Sequence, residues 1–233
     1  MLLLNAILDF FFPRYCLMCN SPLEPDEDTI CVNCNLDLPR TSLWFSPRDN
    51  HLAKRFYGKA IIDKVAAYVY YYSHSHTADI VYAFKYHNEP YVAVSMGEFM
   101  GMEIGLTDFF SDIDFLIPVP LNKKRLRQRG YNQSERLAHG ISKTTGIKVI
   151  NNAITRKVYT ISQTQMDAYE RQDNMEDVFA LTKHANKIKG KHCLLIDDVI
   201  TTGATTAACA RTLSQMSGVK VSVLSFGCVK HKE

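Results

Sequence analysis

Cys193-Leu194-Leu195-Ile196-Asp197-Asp198-Val199-Ile200-Thr201-Thr202-Gly203-Ala204-Thr205-Thr206 is the stretch whose reading decides the fold. Four apolar residues lead into two adjacent acids. A second apolar pair follows, then a short run of Thr, Gly and Ala, and a helical pattern from about Thr202 to Ser217. The pattern predicts a buried strand, a polar tip and a helix N-terminus. Such a junction suits a phosphorylated sugar: hydroxyls and bare backbone N–H groups for a phosphate, acceptor-only carboxylates for ribose hydroxyls and a metal. Gly203 permits close backbone approach, and the helix adds its positive end. The bland alternative is an ordinary strand-turn-helix with capping threonines. A lone Asp-Asp would leave the two readings level, but the complete run is far more specific.

Working outward, strand, helix and strand recur from residue 113 onward, which predicts an α/β fold with a mostly parallel sheet covered by helices. Strands are expected within Ile62–Ser73, Phe115–Pro120, Ile147–Ile150, Val178–Leu181 and Val219–Phe226, and helices over His74–Tyr86, over Tyr91–Ile104 and around Leu137, Ala138 and Ile141. After Pro120 comes a basic loop, Leu121-Asn122-Lys123-Lys124-Arg125-Leu126-Arg127-Gln128-Arg129, with five cations in seven positions. Alone it would read as a solvated charge run. At the C-terminal end of a strand, where α/β sheets place ligands, a polyanion site is the better reading. DNA backbone contact is open to the same residues. Residues 158–177 are polar and lack an apolar period, a long connection of the kind that is usually functional or mobile.

Four of the seven cysteines fall in the first 34 residues, as Cys16-x2-Cys19 and Cys31-x2-Cys34. Two such knuckles supply four thiolates, which matches tetrahedral zinc in a closed, structural site. Paired disulfides or a redox pair fit less well, because no βαβ pattern surrounds these residues and the odd cysteine count points to a reducing, cytoplasmic compartment. The expected division is a short helix plus zinc-binding element over 1–45, a connector, and an α/β domain over 60–233. In the connector Trp44 reads as a buried anchor. Residues 1–13 read as a short amphipathic helix on the protein's own surface, since they lack a basic lead and a cleavage site. No run of about 18 apolar residues predicts a spanning helix. The net charge of +3, from 27 basic and 24 acidic residues, is too small to argue for nucleic acid by itself.

The opening stretch resembles the phosphoribosyl-pyrophosphate (PRPP) signature of type I phosphoribosyltransferases. Pro118-Val119-Pro120-Leu121, Arg129-Gly130-Tyr131-Asn132-Gln133-Ser134, Leu137-Ala138, the block with Thr160, Gln163, Arg171, Asn174 and Phe179, and the four cysteines together resemble the ComF family of competence proteins over nearly the whole chain. The resemblance implies a type I phosphoribosyltransferase-like sheet with a small zinc-ribbon-like element. It implies that Asp197 and Asp198 hold ribose hydroxyls and Mg2+ as the catalytic acids, and that Thr201, Thr202, Gly203, Ala204 and Thr205 hold the 5′-phosphate. Arg125 and Arg129 would face the pyrophosphate, and residues 158–177 would close over the reaction centre. It also implies a role in natural transformation, with single-stranded DNA and a helicase-like partner. The chain itself has no Gly-x-x-x-x-Gly-Lys-Ser/Thr loop. Thr201 stands where purine-salvage relatives carry a general base, so the acceptor is left open. An enzyme and a non-catalytic DNA-binding module with aromatic Tyr131 both remain in play.

Overall fold

A computed structural model describes residues 13–86, 89–157 and 178–230. The expected helix over 1–13, apart from Pro13, and the expected closing segment 158–177 lie outside them.

Five strands form one sheet: β1 (Val65–Tyr71), β2 (Phe115–Pro118), β3 (Lys148–Val149), β6 (His192–Ile200) and β7 (Lys220–Val229). Their order is β1-β7-β6-β2-β3, and every pair is parallel. The deciding stretch, β6, sits between β7 and β2. That position explains its composition: a strand covered on both faces reads as a continuous apolar run. Leu194, Leu195 and Ile196 are fully buried, each worth roughly 1.5–3 kcal/mol of transfer free energy. A separate two-stranded antiparallel ribbon pairs β4 (Ile154–Arg156) with β5 (Phe179–Leu181).

The α-helices among the described residues are α1 (Val32–Leu36), α2 (His76–Tyr86), α3 (Pro90–Ile104), α4 (Lys123–Arg129), α5 (Gln133–Thr145) and α6 (Ala204–Ser214). Two differences from expectation bear on the site. The stretch after Pro120, expected as a loop, forms the helix α4: Asn122 caps it by accepting from the Lys124 N–H, and Gly130 ends it at φ 76°. Lysine and arginine are good helix formers, so a cap and a stop suffice to turn this charge run into a helix. The last helix begins at Ala204 rather than Thr202, because Gly203 takes the N-cap at φ 78°.

The crossing of α3 with α5 is set by small residues. A side chain at Gly97 would meet the Leu137 carbonyl, and one at Gly140 would meet the Val94 carbonyl. This backbone-to-backbone approach fixes α5, whose N-terminus opens onto the site described below. At the sheet edge, Arg40 bridges Val69 and the Thr41 N–H donates to the Tyr68 carbonyl at 3.1 Å. Trp44, 4% exposed, packs against Tyr68, so the connector blunts an otherwise open strand edge. No helix among the described residues is long and apolar enough to cross a membrane.

Candidate functional site

The C-terminal ends of β2 and β6, the N-termini of α5 and α6, and the helix α4 surround one pocket. Its lining includes Lys85, Arg125, Arg129, Asn132, Ser134, Arg156, Asp197, Asp198 and the run Thr201–Thr206. The acids, the threonine turn and both arginines singled out in the sequence are therefore brought together.

The turn after Ile200 is held from behind. Arg55 donates to the Thr201 carbonyl at 2.7 Å and to the Val229 carbonyl at 2.6 Å, and the Lys59 ammonium reaches the Thr202 carbonyl at 3.4 Å. Gly203 packs so close to the Phe56 ring that an added Cβ would stand 3.1 Å from it, and its φ of 78° is costly for any other residue. With its carbonyls taken, the turn leaves N–H groups at the start of α6, where Gly203 has no side chain to cap them and the Thr202 hydroxyl reaches only the Ala204 N–H, at 3.4 Å. Uncapped N–H groups at a helix's positive end are a ready anion cradle.

The two acids differ. Asp197 is buried, and its oxygens accept from the Asp198 N–H (2.9 Å), the Thr206 hydroxyl (3.0 Å) and the Ser134 hydroxyl (3.4 Å). Burial, reinforced by the neighbouring Asp198, pushes its pKa up from the usual carboxylate range. Asp198 is half-turned to the pocket. One of its oxygens accepts from the Val199 N–H (2.6 Å) and the other meets the Lys85 ammonium at 2.9 Å. Lys85 was missed in the sequence reading. Its signal was a lone cation in the last turn of an apolar helix, after the fully buried Phe84. Arg55, Ser134 and Arg156 were missed as well.

The cation wall is lopsided. Arg129 donates to the Gln133 side chain at 3.0 Å and lies over the Tyr86 ring at 5.1 Å. Tyr86 packs against Tyr82 with ring centroids 4.7 Å apart and planes tilted by 38°, and both rings are exposed. A cationic groove beside the pocket runs along Lys85, Tyr86, Arg125, Arg127 and Arg129. Tyr131, expected as an aromatic contact for DNA, is instead buried, and its hydroxyl donates to the Phe84 carbonyl at 2.8 Å. It ties the α4–α5 junction to the end of α2 and so holds Lys85 at the pocket.

The four cysteines Cys16, Cys19, Cys31 and Cys34 cluster with all sulfurs within 4.8 Å of one another, placed to hold a metal ion. Cys19 and Cys31 sulfurs are 3.8 Å apart. A tetrahedral ion bound at about 2.3 Å per thiolate requires sulfurs about 3.8 Å apart, so the donor set fits zinc.

No family model matches the chain. Curated relatives do match. Competence protein F of Haemophilus influenzae is 33% identical over 108 residues, 46% of this chain and 47% of that protein. DNA utilization protein YhgH of Escherichia coli K12 is 33% identical over 110 residues, 47% of each chain. Competence protein ComFC of Bacillus subtilis is 32% identical over 115 residues, 49% of this chain and 44% of that one. Over about half of its length the chain is similar to proteins named for competence and DNA utilization. The match spans about half the length of these relatives, so what they do as whole proteins is not transferred by it. Among solved structures, an allosteric regulatory enzyme of purine biosynthesis covers 61% of this chain and 30% of its own at 18% identity and TM-score 0.41. Trypanosoma cruzi hypoxanthine phosphoribosyl transferase covers 62% of this chain and 76% of its own at 13% identity and TM-score 0.37.

Proposed function

We propose that this protein binds PRPP, or a closely related phosphosugar, at the C-terminal edge of its sheet and acts as a phosphoribosyltransferase on an unidentified acceptor. The observation that carries the reading is convergence. An uncapped helix start at Gly203, an acid pair at the end of β6, and Arg125 and Arg129 from α4 line one pocket. In that arrangement Thr201, Thr202, Gly203, Ala204 and Thr205 take the 5′-phosphate, Asp197 and Asp198 face the ribose hydroxyls, and the arginines face the pyrophosphate. Loss of pyrophosphate from C1 builds positive charge on the sugar and negative charge on the leaving group, which cations opposite the acids would stabilise. The test is calorimetric binding of PRPP followed by pyrophosphate release against a panel of bases and amines. Asp198→Ala should weaken PRPP binding by roughly tenfold or more. Binding without any turnover would leave a sensor rather than an enzyme, and no binding at all would sink the reading.

A second reading, a single-stranded DNA module acting in DNA uptake, is favoured by one feature. The exposed Tyr82–Tyr86 pair, with Arg129 over Tyr86, lies beside Arg125 and Arg127. Aromatic faces with flanking cations suit stacked bases and backbone phosphates. Binding of single strands should weaken steeply with salt and drop when Lys123, Lys124 and Arg125 are neutralised. Indifference to both manipulations would exclude this role.

The four-cysteine element is proposed to carry structural zinc. About one zinc per chain should be measured by elemental analysis, and strong chelation should unfold the segment around Cys16–Cys34. A metal-free protein of unchanged stability would contradict it.

A further inference from the structure

The resemblance that suggested PRPP also implied Mg2+ at the acid pair, and among the described residues that pair offers it no bare carboxylate oxygen. Mg2+ demands near-octahedral oxygen ligands at about 2.0–2.1 Å and is held through one or two free carboxylates together with substrate oxygens and water. Here every carboxylate oxygen already has a donor, and the ammonium on Asp198 repels a second cation, whereas the lone pairs that remain can still accept a neutral ribose hydroxyl. Asp197 is buried among the Thr206 and Ser134 hydroxyls and the Asp198 N–H. Asp198 has the Val199 N–H on one oxygen and the Lys85 ammonium on the other. Lys85 is largely enclosed, with its side chain 22% exposed, and it lines both the pocket and the adjoining cationic groove. Tyr131 anchors the same helix end through the Phe84 carbonyl, so the ammonium is held in place rather than visiting.

We propose that Lys85 is the built-in counter-cation of this cradle, and that a diphosphate-bearing phosphosugar binds here without a divalent ion held by the protein. This rests on the phosphosugar reading above and goes further by naming what neutralises the ligand. An ammonium shared between Asp198 and an incoming diphosphate oxygen has three donors to divide between them. Arg125 and Arg129 supply the rest of the positive wall. Lys85 is thereby a binding residue at the junction of sugar and leaving group.

The experiment is calorimetry with inorganic pyrophosphate and with PRPP, each in EDTA and in Mg2+. Wild type should bind pyrophosphate in EDTA within about threefold of its affinity in Mg2+, whereas Lys85→Met should lose roughly 10- to 100-fold in EDTA. Lys85→Arg should retain most of the binding. Circular dichroism on each variant checks folding. The double variant Lys85→Met/Asp198→Asn separates two roles. If Lys85 serves only to neutralise Asp198, the double variant regains pyrophosphate binding; the proposed role requires that it does not. PRPP binding that needs Mg2+ and ignores Lys85 would overturn the role of Lys85 and leave the phosphosugar reading standing. Absence of binding under every condition would overturn both.

Discussion

At the N-terminal ends of the strands, acids and bases neutralise one another; at the C-terminal ends of the same strands, beyond the Lys85–Asp198 pair, cations are left over. Before β1, Asp63 meets Arg48 at 2.9 Å and Lys220 at 3.0 Å. The buried Lys64 meets Asp112 at 2.5 Å and also donates to the Phe109 carbonyl. Lys191 pairs with Asp114 at 3.0 Å. Burial pushes the Asp63 and Asp112 carboxyls up, but hydrogen bonds from Arg48, Lys220 and Lys64 pull both further down, below the usual carboxylate range. Asp114 is lowered first by the His192 N–H and then by Lys191. At the other end, Asp197 is pushed the opposite way, and among the described residues no carboxylate pairs with Arg125 or Arg129. The same sheet thus carries a matched ionic seam at the N-terminal ends of its strands and, at the C-terminal ends, two arginines that no carboxylate among the described residues matches beside the Lys85–Asp198 pair. The contrast teaches where to look: charge left unpaired in a concave site is charge kept for a ligand.

The sharpest way to break that comparison is to remove the unmatched cations. Arg125→Ala/Arg129→Ala should cost about 100-fold or more in PRPP affinity, since each charged hydrogen-bonding group contributes about 1.5–3 kcal/mol. Its melting temperature should stay close to that of wild type, because neither guanidinium makes an ion pair among the described residues. A smaller effect of the opposite kind is expected at the matched edge. Lys64→Met leaves the Phe109 carbonyl and Asp112 without their donor, and should cost about 1–3 kcal/mol in urea unfolding, discounted because Asp112 is partly exposed. PRPP affinity should be unchanged. If Lys64→Met weakened ligand binding and the arginine pair weakened folding, the assignment of the two edges would be reversed.

The smallest effect is on the pH dependence of stability, where the edges should differ in sign. Asp63 and Asp112 have folded pKa values below their unfolded ones. Their contribution is present above the unfolded carboxylate range, near pH 4, and is lost as pH falls through their folded values. Asp197 has a folded pKa above its unfolded value. It binds more protons folded than unfolded in the window between the two, so stability falls as pH rises through that window. Asp197→Asn should flatten the decline above about pH 4, and Asp112→Asn should flatten the loss on the acid side. Identical pH profiles for wild type and Asp197→Asn would show that the buried carboxyl is not perturbed.

Much of this was legible in the sequence because the pattern was local. A double-faced apolar run ending in Asp197-Asp198 with Thr-Gly after it can be little other than a central strand feeding a helix, and β6 and α6 are there. The α4 stretch was misjudged as a loop because charge density was weighed above helix propensity and capping. Lys85 and Arg55 were invisible for a different reason. Arg55 lies 146 positions from the Thr201 carbonyl it holds, and no local period announces a contact of that span. Tyr131 was read as a surface aromatic because it follows a charge run, whereas the fold turns it inward to fix α2. Positions that act through long-range packing leave little local trace, while those that act through a turn leave a clear one.

The most direct measurement is a crystal of this chain soaked with PRPP. The account predicts one ordered ligand at the C-terminal edge of the sheet, with its 5′-phosphate on the backbone N–H groups at the start of α6, its ribose against Asp197 and Asp198, and its diphosphate between Lys85, Arg125 and Arg129. A ligand seated elsewhere, or a pocket that stays empty at saturating PRPP, would contradict it.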